Sequence, residues 1–189
     1  EPATGTLLLQ PQWRKTPATQ GAIAHEQHLV VLCDVPGIEP QAIEQASGAR
    51  CRRSEWSDRR VDEAYEQHAL ALFEDVQALA KGKLTGTGLV QVVVPAHGER
   101  QVLAGLSGLL KTMALENPKL YGQVIAVEAG EGAASLADKL RANAAQPQDA
   151  HVRYEDGTRS VAGWEEAPVD TASVVKPWKD RGVYLITGG

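Results

Sequence analysis

The residues best suited to chemistry close the chain, where Arg181-Gly182-Val183-Tyr184-Leu185-Ile186-Thr187-Gly188-Gly189 reads as a buried strand running into a Thr-Gly-Gly turn. Such a turn opens the glycine-rich loops that hold dinucleotides. The glycines let backbone N–H groups close on a pyrophosphate, which rests on the N-terminus of the helix that follows. Thr187, Gly188 and Gly189 are the whole of that loop in this sequence. A half-loop without its helix cannot cradle a phosphate, so these three residues are expected to begin a cofactor site without forming one. A second strand-to-turn junction, Val94-Pro95-Ala96-His97-Gly98-Glu99-Arg100, lacks the spaced glycines and reads as a plain crossover turn.

The remaining candidates favour structure over chemistry. Histidines 25, 28, 68, 97 and 151 show no HxxxH or HExxH spacing, so no metal site is expected. His68 falls within a helical pattern and is expected to be solvated or half-buried. Cys33 and Cys51 form no CxxC and have no histidine at ligand spacing, which argues against a disulfide or a metal pair. Cys33, in Leu29-Val30-Val31-Leu32-Cys33, reads as a buried strand thiol, and a reducing cytoplasm is the expected location. Ser107 in GLSGL has the wrong glycine spacing for a nucleophile elbow and lies within an apolar helical run, where it reads as a small packing residue. Arg50, Arg52, Arg53, Arg59 and Arg60, interspersed with Glu55 and Asp58, make a mixed-sign patch. That is ordinary solvated surface, with a docking surface as the alternative.

The elements that must position these residues are legible in the apolar pattern. The chain has 189 residues, 43% hydrophobic and 23% charged, with a net charge of -5. It is long enough for one core, and it lacks the basic surplus that binding nucleic acid requires. Leu89–Ala96, the longest apolar run, is too short to span a bilayer, and the opening residues carry no signal-peptide pattern. The chain does not begin with methionine and reads as a piece of a longer one.

Strands are expected at Thr6–Arg14, His28–Val35, Ala49–Trp56 (an edge strand), Leu89–Pro95 and Gln123–Glu128. Helices are expected at Glu39–Ala46 with Gly48 as C-cap, at Val61–Ala80 capped by Ser57 or Asp58 with Leu72 and Phe73 among its apolar positions, at Arg100–Leu115 with Val102 and Leu103 on its buried side, and at Ala134–Asn143. Alternation of this kind requires crossover connections and a mostly parallel sheet covered on both faces. The texture then changes to a hairpin, Ala150–Tyr154 and Arg159–Trp164, with Asp156-Gly157 as its turn. A linker around Pro168, Val169 and Asp170 leads to the closing strand.

Four blocks, in order and spanning nearly the whole chain, resemble the ketoreductase regions of modular polyketide synthases. TLLLQPQWRK resembles their opening strand. GLSGLLKTMALENPKLYGQVIAVE resembles the segment where an apolar helix ends in Glu-Asn-Pro and runs into a strand. VRYEDGTRSVAGWEE is similar to their late hairpin, and KDRGVYLITGG to the strand that opens the catalytic half. The Glu116-Asn117-Pro118 form is closer to synthases with trans-acting acyltransferases.

The resemblance implies a two-part enzyme: a structural half, with a truncated Rossmann-like fold that has lost its cofactor, and a catalytic half that binds NADPH and carries Ser, Tyr and Lys. Residues 1–181 would be the structural half, and residues 182–189 the first strand and loop start of the catalytic half. The family's Tyr-x-x-x-Lys pair has no counterpart: Tyr65, Tyr121, Tyr154 and Tyr184 are followed four positions on by Ala69, Ile125, Thr158 and Gly188. No catalytic residue, metal or cofactor is therefore expected in this chain. NADPH would be bound by the other half, which reduces a β-keto group on a polyketide carried by an acyl carrier protein. The opening strand and the late hairpin would tie the halves together. The alternatives are an interaction or dimerisation module of the megasynthase and an autonomous nucleotide-dependent reductase.

Overall fold

A computed structural model describes residues 7–18, 21, 23–56, 60–167, 178–185, 187 and 188. Thr6, Ser57, Asp58, Arg59, Pro168, Val169, Asp170, Ile186 and Gly189 lie outside the described residues. The chain divides into a main unit, Trp13–Gly163, and a small unit formed by Glu1–Gln12 with Trp164–Gly189.

Seven strands make one sheet: β1 (Leu9–Lys15), β2 (Gln27–Cys33), β3 (Arg50–Ser54), β4 (Gly88–Pro95), β5 (Leu120–Val127), β6 (His151–Glu155) and β7 (Thr158–Glu166). Their spatial order is β1-β7-β6-β5-β4-β2-β3. The run from β3 to β6 is parallel throughout. β7 turns back antiparallel to β6 through Asp156 and Gly157, both with positive φ, as the two-residue turn of a tight hairpin needs. β1 runs antiparallel to β7: Thr16 N donates to Arg159 O, and Ala167 N to Leu8 O.

Helices cover both faces. On one, α2 (Val61–Lys81), a 3-10 segment (Glu99–Leu106) and α3 (Ser107–Glu116) bury Leu72, Val76, Leu103 and Leu110 against Val31, Val92 and Val124. On the other, α1 (Pro40–Ser47) and α4 (Ala133–Ala144) bury Ile43, Leu136 and Leu140 against Val30, Leu32, Val93 and Ile125. With both faces covered, β2, β4 and β5 are almost continuously apolar instead of alternating. Gly48 ends α1 in the left-handed conformation (φ 73°), its N–H reaching Glu44 O at 2.9 Å.

The polar exceptions in the core are joined. Gln91 and Gln123 are register partners on β4 and β5. Gln91 Nε2 donates to Leu140 O (3.0 Å) and Gln123 Oε1 (2.9 Å), which leaves its own Oε1 to accept from His28 Nε2 (2.8 Å). Gln123 Nε2 is shared among the carbonyls of Asn143, Gln146 and Asp149, which fixes the turn after α4. Each amide's orientation is set because a carbonyl can only accept.

Several expectations need correction. The long helix over 100–115 is two pieces, 3-10 up to Leu106 and α-helical from Ser107, so Ser107 begins a helix instead of lying within one, and Val102 turns outward. The N-cap of α2 is Arg60, with no side-chain cap bond. Phe73 is exposed, because the buried stripe of α2 runs Ala64, His68, Leu72, Val76, Leu79. His68 is buried, at 2% exposure: Ser54 Oγ meets its Nδ1 at 2.7 Å and Trp56 covers the ring. Residues 182–185 form no strand. Val183 and Leu185 are 99% and 91% exposed, since among the described residues none supplies a ladder partner.

Candidate functional site

In an open parallel sheet, ligands bind beyond the carboxyl ends of the strands, where the chain order reverses. Here the reversal lies between β2 and β4: from β2 the chain steps outward to β3, then back across β2 to β4. A crevice of about 220 Å³ opens at that point, floored by Val35, Pro95, Ala96 and Val127. It lies below the roughly 300–1,000 Å³ of ordinary small-molecule sites.

Its polar walls come from the turns. Asp34, the first residue past β2, sits in the left-handed region (φ 52°), and its N–H donates to Ser54 O at 2.9 Å. Its largely buried carboxylate meets Arg100 Nε at 2.7 Å. Arg100 stands over the Trp56 ring at 5.9 Å. Burial depresses the pKa of His68, the nearby Asp34 carboxylate works against that shift, and Arg52 reinforces it.

The helix that should receive a pyrophosphate is α1. Its N-cap is Glu39, whose carboxylate accepts from Arg53 Nη2 at 3.1 Å, and its first residue is Pro40. Pro36 and Pro40 offer no N–H. The Asp34 carboxylate lines the crevice, Glu39 turns to Arg53 without a side-chain cap bond to the helix, and the turn holds a single glycine, Gly37. These residues do not fit a dinucleotide. Thr187, the described start of the closing loop, is exposed, and Gly188 has φ 99°.

The other sequence candidates are dispersed. Among the described residues no group of three His, Cys, Asp or Glu could hold a metal ion. His25 bridges Thr87 Oγ1 (3.1 Å) and Ala144 O (3.0 Å); the carbonyl requires Nε2 to donate, so Nδ1 accepts from the hydroxyl. Burial lowers the pKa of His28. Cys33 is buried in β2, Cys51 is half-buried in β3, and both are free thiols pushed up to about 12 by burial. The arginine patch is more integrated than a solvated edge. Arg52 pairs with Asp75 (2.5 Å), and Arg53 reaches Ile38 O (2.6 Å) and Glu39, which raises its pKa.

Three features escaped the sequence reading. The Asp34–Arg100 pair becomes visible only once strand order brings residues 34 and 100 to the same crevice. Arg159 is buried and holds Asn143 Oδ1, Thr16 O and Asp149 Oδ2 at 2.9, 3.0 and 2.6 Å. A second cavity of about 220 Å³ is lined by Trp13, Gln101, His151 and Arg153, with Ala104 and Ala126 beneath. Motif spacing carries no signal for any of them, because their partners come from separate elements.

The sheet order, the two helical layers and the terminal hairpin define a Rossmann-like fold of the ketoreductase type. A solved ketoreductase domain from the bacillaene assembly line superposes with a TM-score of 0.76 at 32% identity, over 87% of this chain and 39% of that one. An A-type ketoreductase from a modular polyketide synthase shares the fold alone, at a TM-score of 0.52 and 15% identity over 85% of this chain and 42% of that one. No family model matches the chain. In sequence it is 41% identical over 188 residues to polyketide synthase PksL, and 35% identical over 191 residues to PksN, both of Bacillus subtilis (strain 168). Those alignments cover 99% and 97% of this chain but only 4% and 3% of the synthases. The chain is a ketoreductase-like segment homologous to polyketide synthases.

Proposed function

We propose that this chain is the non-catalytic structural half of a polyketide synthase ketoreductase, in a synthase of the trans-acyltransferase type. Its role is to support a second half that binds NADPH and reduces a β-keto group on a polyketide tethered to an acyl carrier protein. Its partners are that catalytic half, in the same polypeptide, and the other synthase domains, in the cytoplasm. Residues 182–189 belong by this reading to the catalytic half, with Thr187, Gly188 and Gly189 beginning its cofactor loop.

The observation that carries the reading is the state of the switch-point crevice. The crevice at the switch point is walled by an Asp34–Arg100 ion pair at 2.7 Å and by Pro36, and helix α1 after it begins with Pro40, so two residues that could offer N–H donors to a pyrophosphate offer none. An anionic pyrophosphate would meet the Asp34 carboxylate there, and a proline where the first donor of the helix would stand.

Titrating the chain with NADPH while following nicotinamide fluorescence tests this. No saturable enhancement is expected. Binding in the micromolar range would overturn the assignment and favour an autonomous reductase.

A further inference from the structure

The second cavity opens between β6 and the 3-10 segment. Along β6 the side chains alternate. Val152 and Tyr154 are buried, while His151, Arg153 and Glu155 are half-buried on the opposite face. The 3-10 segment packs over β4 and β5 and α3 over β5, so this face of β6 forms one wall of an opening walled on the other side by Gln101 and Ala104.

Three groups are locked together at its mouth. Trp13 meets the His151 ring edge-on at 5.1 Å, and the Arg153 guanidinium stacks on Trp13 at 4.5 Å. Glu155 engages Arg153 through Nη2 at 3.1 Å. That leaves Arg153 Nε, a charged N–H donor, with no acceptor, while the Arg153 side chain keeps 30% exposure through which a ligand can reach the guanidinium. A buried donor in that state destabilises the fold until something accepts from it. The indole face holds the guanidinium in place, so little is lost when an acceptor arrives. Arg153 and Lys111 both act on His151, and Glu155 is the carboxylate paired with Arg153.

The geometry points to a docking socket in which Trp13, His151 and Arg153 receive an acidic side chain presented by a neighbouring protein segment. Charge complementarity selects the carboxylate. The aromatic and alanine walls select an apolar stem behind it. The volume, about 220 Å³, suits one side chain better than a free metabolite. The inference holds whether or not the chain binds a dinucleotide.

The test follows the Arg153 Nε–H and Trp13 indole N–H resonances of the whole chain by nitrogen-edited NMR. Three probes are added: the capped tripeptide Ala-Glu-Ala, its counterpart Ala-Gln-Ala, and acetate. The glutamate peptide is expected to shift both resonances saturably, with half-saturation at least tenfold lower than for either other probe, and to raise the pKa of His151. Equal shifts from the glutamine peptide would remove the carboxylate from the account. Acetate as effective as the glutamate peptide would remove the protein segment. No saturable shift from any probe would overturn the socket itself. All three arms use the unmodified chain, so none depends on a variant folding. Arg153→Gln, where it folds, is expected to abolish the shift at the Trp13 indole.

Discussion

Replacing Arg159 by methionine is the sharpest test of how this chain holds together. The guanidinium is buried and joins three distant pieces: Asn143 on α4, Asp149 in the turn after it, and Thr16 beyond β1. Methionine retains most of the apolar stem, so packing changes little and the polar loss dominates. Asn143 Oδ1 and Thr16 O lose their donor, and Asp149 keeps a mostly buried carboxylate without its cation. Removing one member of a buried pair costs about 3–5 kcal/mol. The Asp149 side chain retains 19% exposure, so water recovers part of the loss and the expectation sits at the lower end, about 3 kcal/mol. For a chain of this size that is a fall in Tm of roughly 6–12 °C. Thermal and urea unfolding followed by circular dichroism would measure it. In a double-mutant cycle, Asp149→Asn removes the stranded charge, and the double variant should lose less than the sum of the singles by about 1–2 kcal/mol. A loss under about 1 kcal/mol, or strict additivity, would refute the claim that Arg159 is a buried tie.

Gly122→Ala should destabilise by about 1–3 kcal/mol, because a Cβ there would stand 2.6 Å from Leu110 Cβ and 3.2 Å from Met113 Cε, forcing α3 off the sheet. Gly108→Ala on the same helix meets nothing within 4 Å and should cost nothing; equal urea midpoints for the two variants would contradict the packing argument. Burial holds the pKa values of His28, His68 and His151 below their ordinary 6.5, so the unfolded chain takes up protons first. Stability should therefore be complete above pH 6.5 and decline as pH falls through the lower native values. His28→Gln should flatten that decline, and a urea midpoint that rose on acidification would reverse the sign of the reasoning.

Periodicity gave away most of the scaffold. Runs such as Leu29–Cys33 and Leu89–Val94 are apolar on both faces of a strand, and only a covered parallel sheet accommodates that. Asp156-Gly157 announced its hairpin because few residues adopt two consecutive positive φ values. The misses share a cause. His68 looked like a surface residue because its type is polar, yet Ser54 and Trp56 from the β3 edge give it a partner and a lid. The break at Leu106–Ser107 left no mark, since Leu103, Leu106 and Leu110 are buried with spacings that either helix type allows. Val183–Leu185 has strand composition, but a strand needs a neighbour, and composition does not supply one.

On the proposed reading, the crevice accounts for a fold kept without its chemistry. The apolar strands that place it, β2, β4 and β5, also carry the core, so losing them would unfold the chain. The turn residues above them carry no such burden, and Asp34 and Pro36 can wall the crevice while the sheet beneath keeps its register. Asp34 holds a left-handed conformation that costs a non-glycine residue about 1 kcal/mol or more, and its ion pair with Arg100 and its N–H bond to Ser54 O offset that cost. On the proposed reading, a crevice walled by its own ion pair fits a half whose contribution is rigidity.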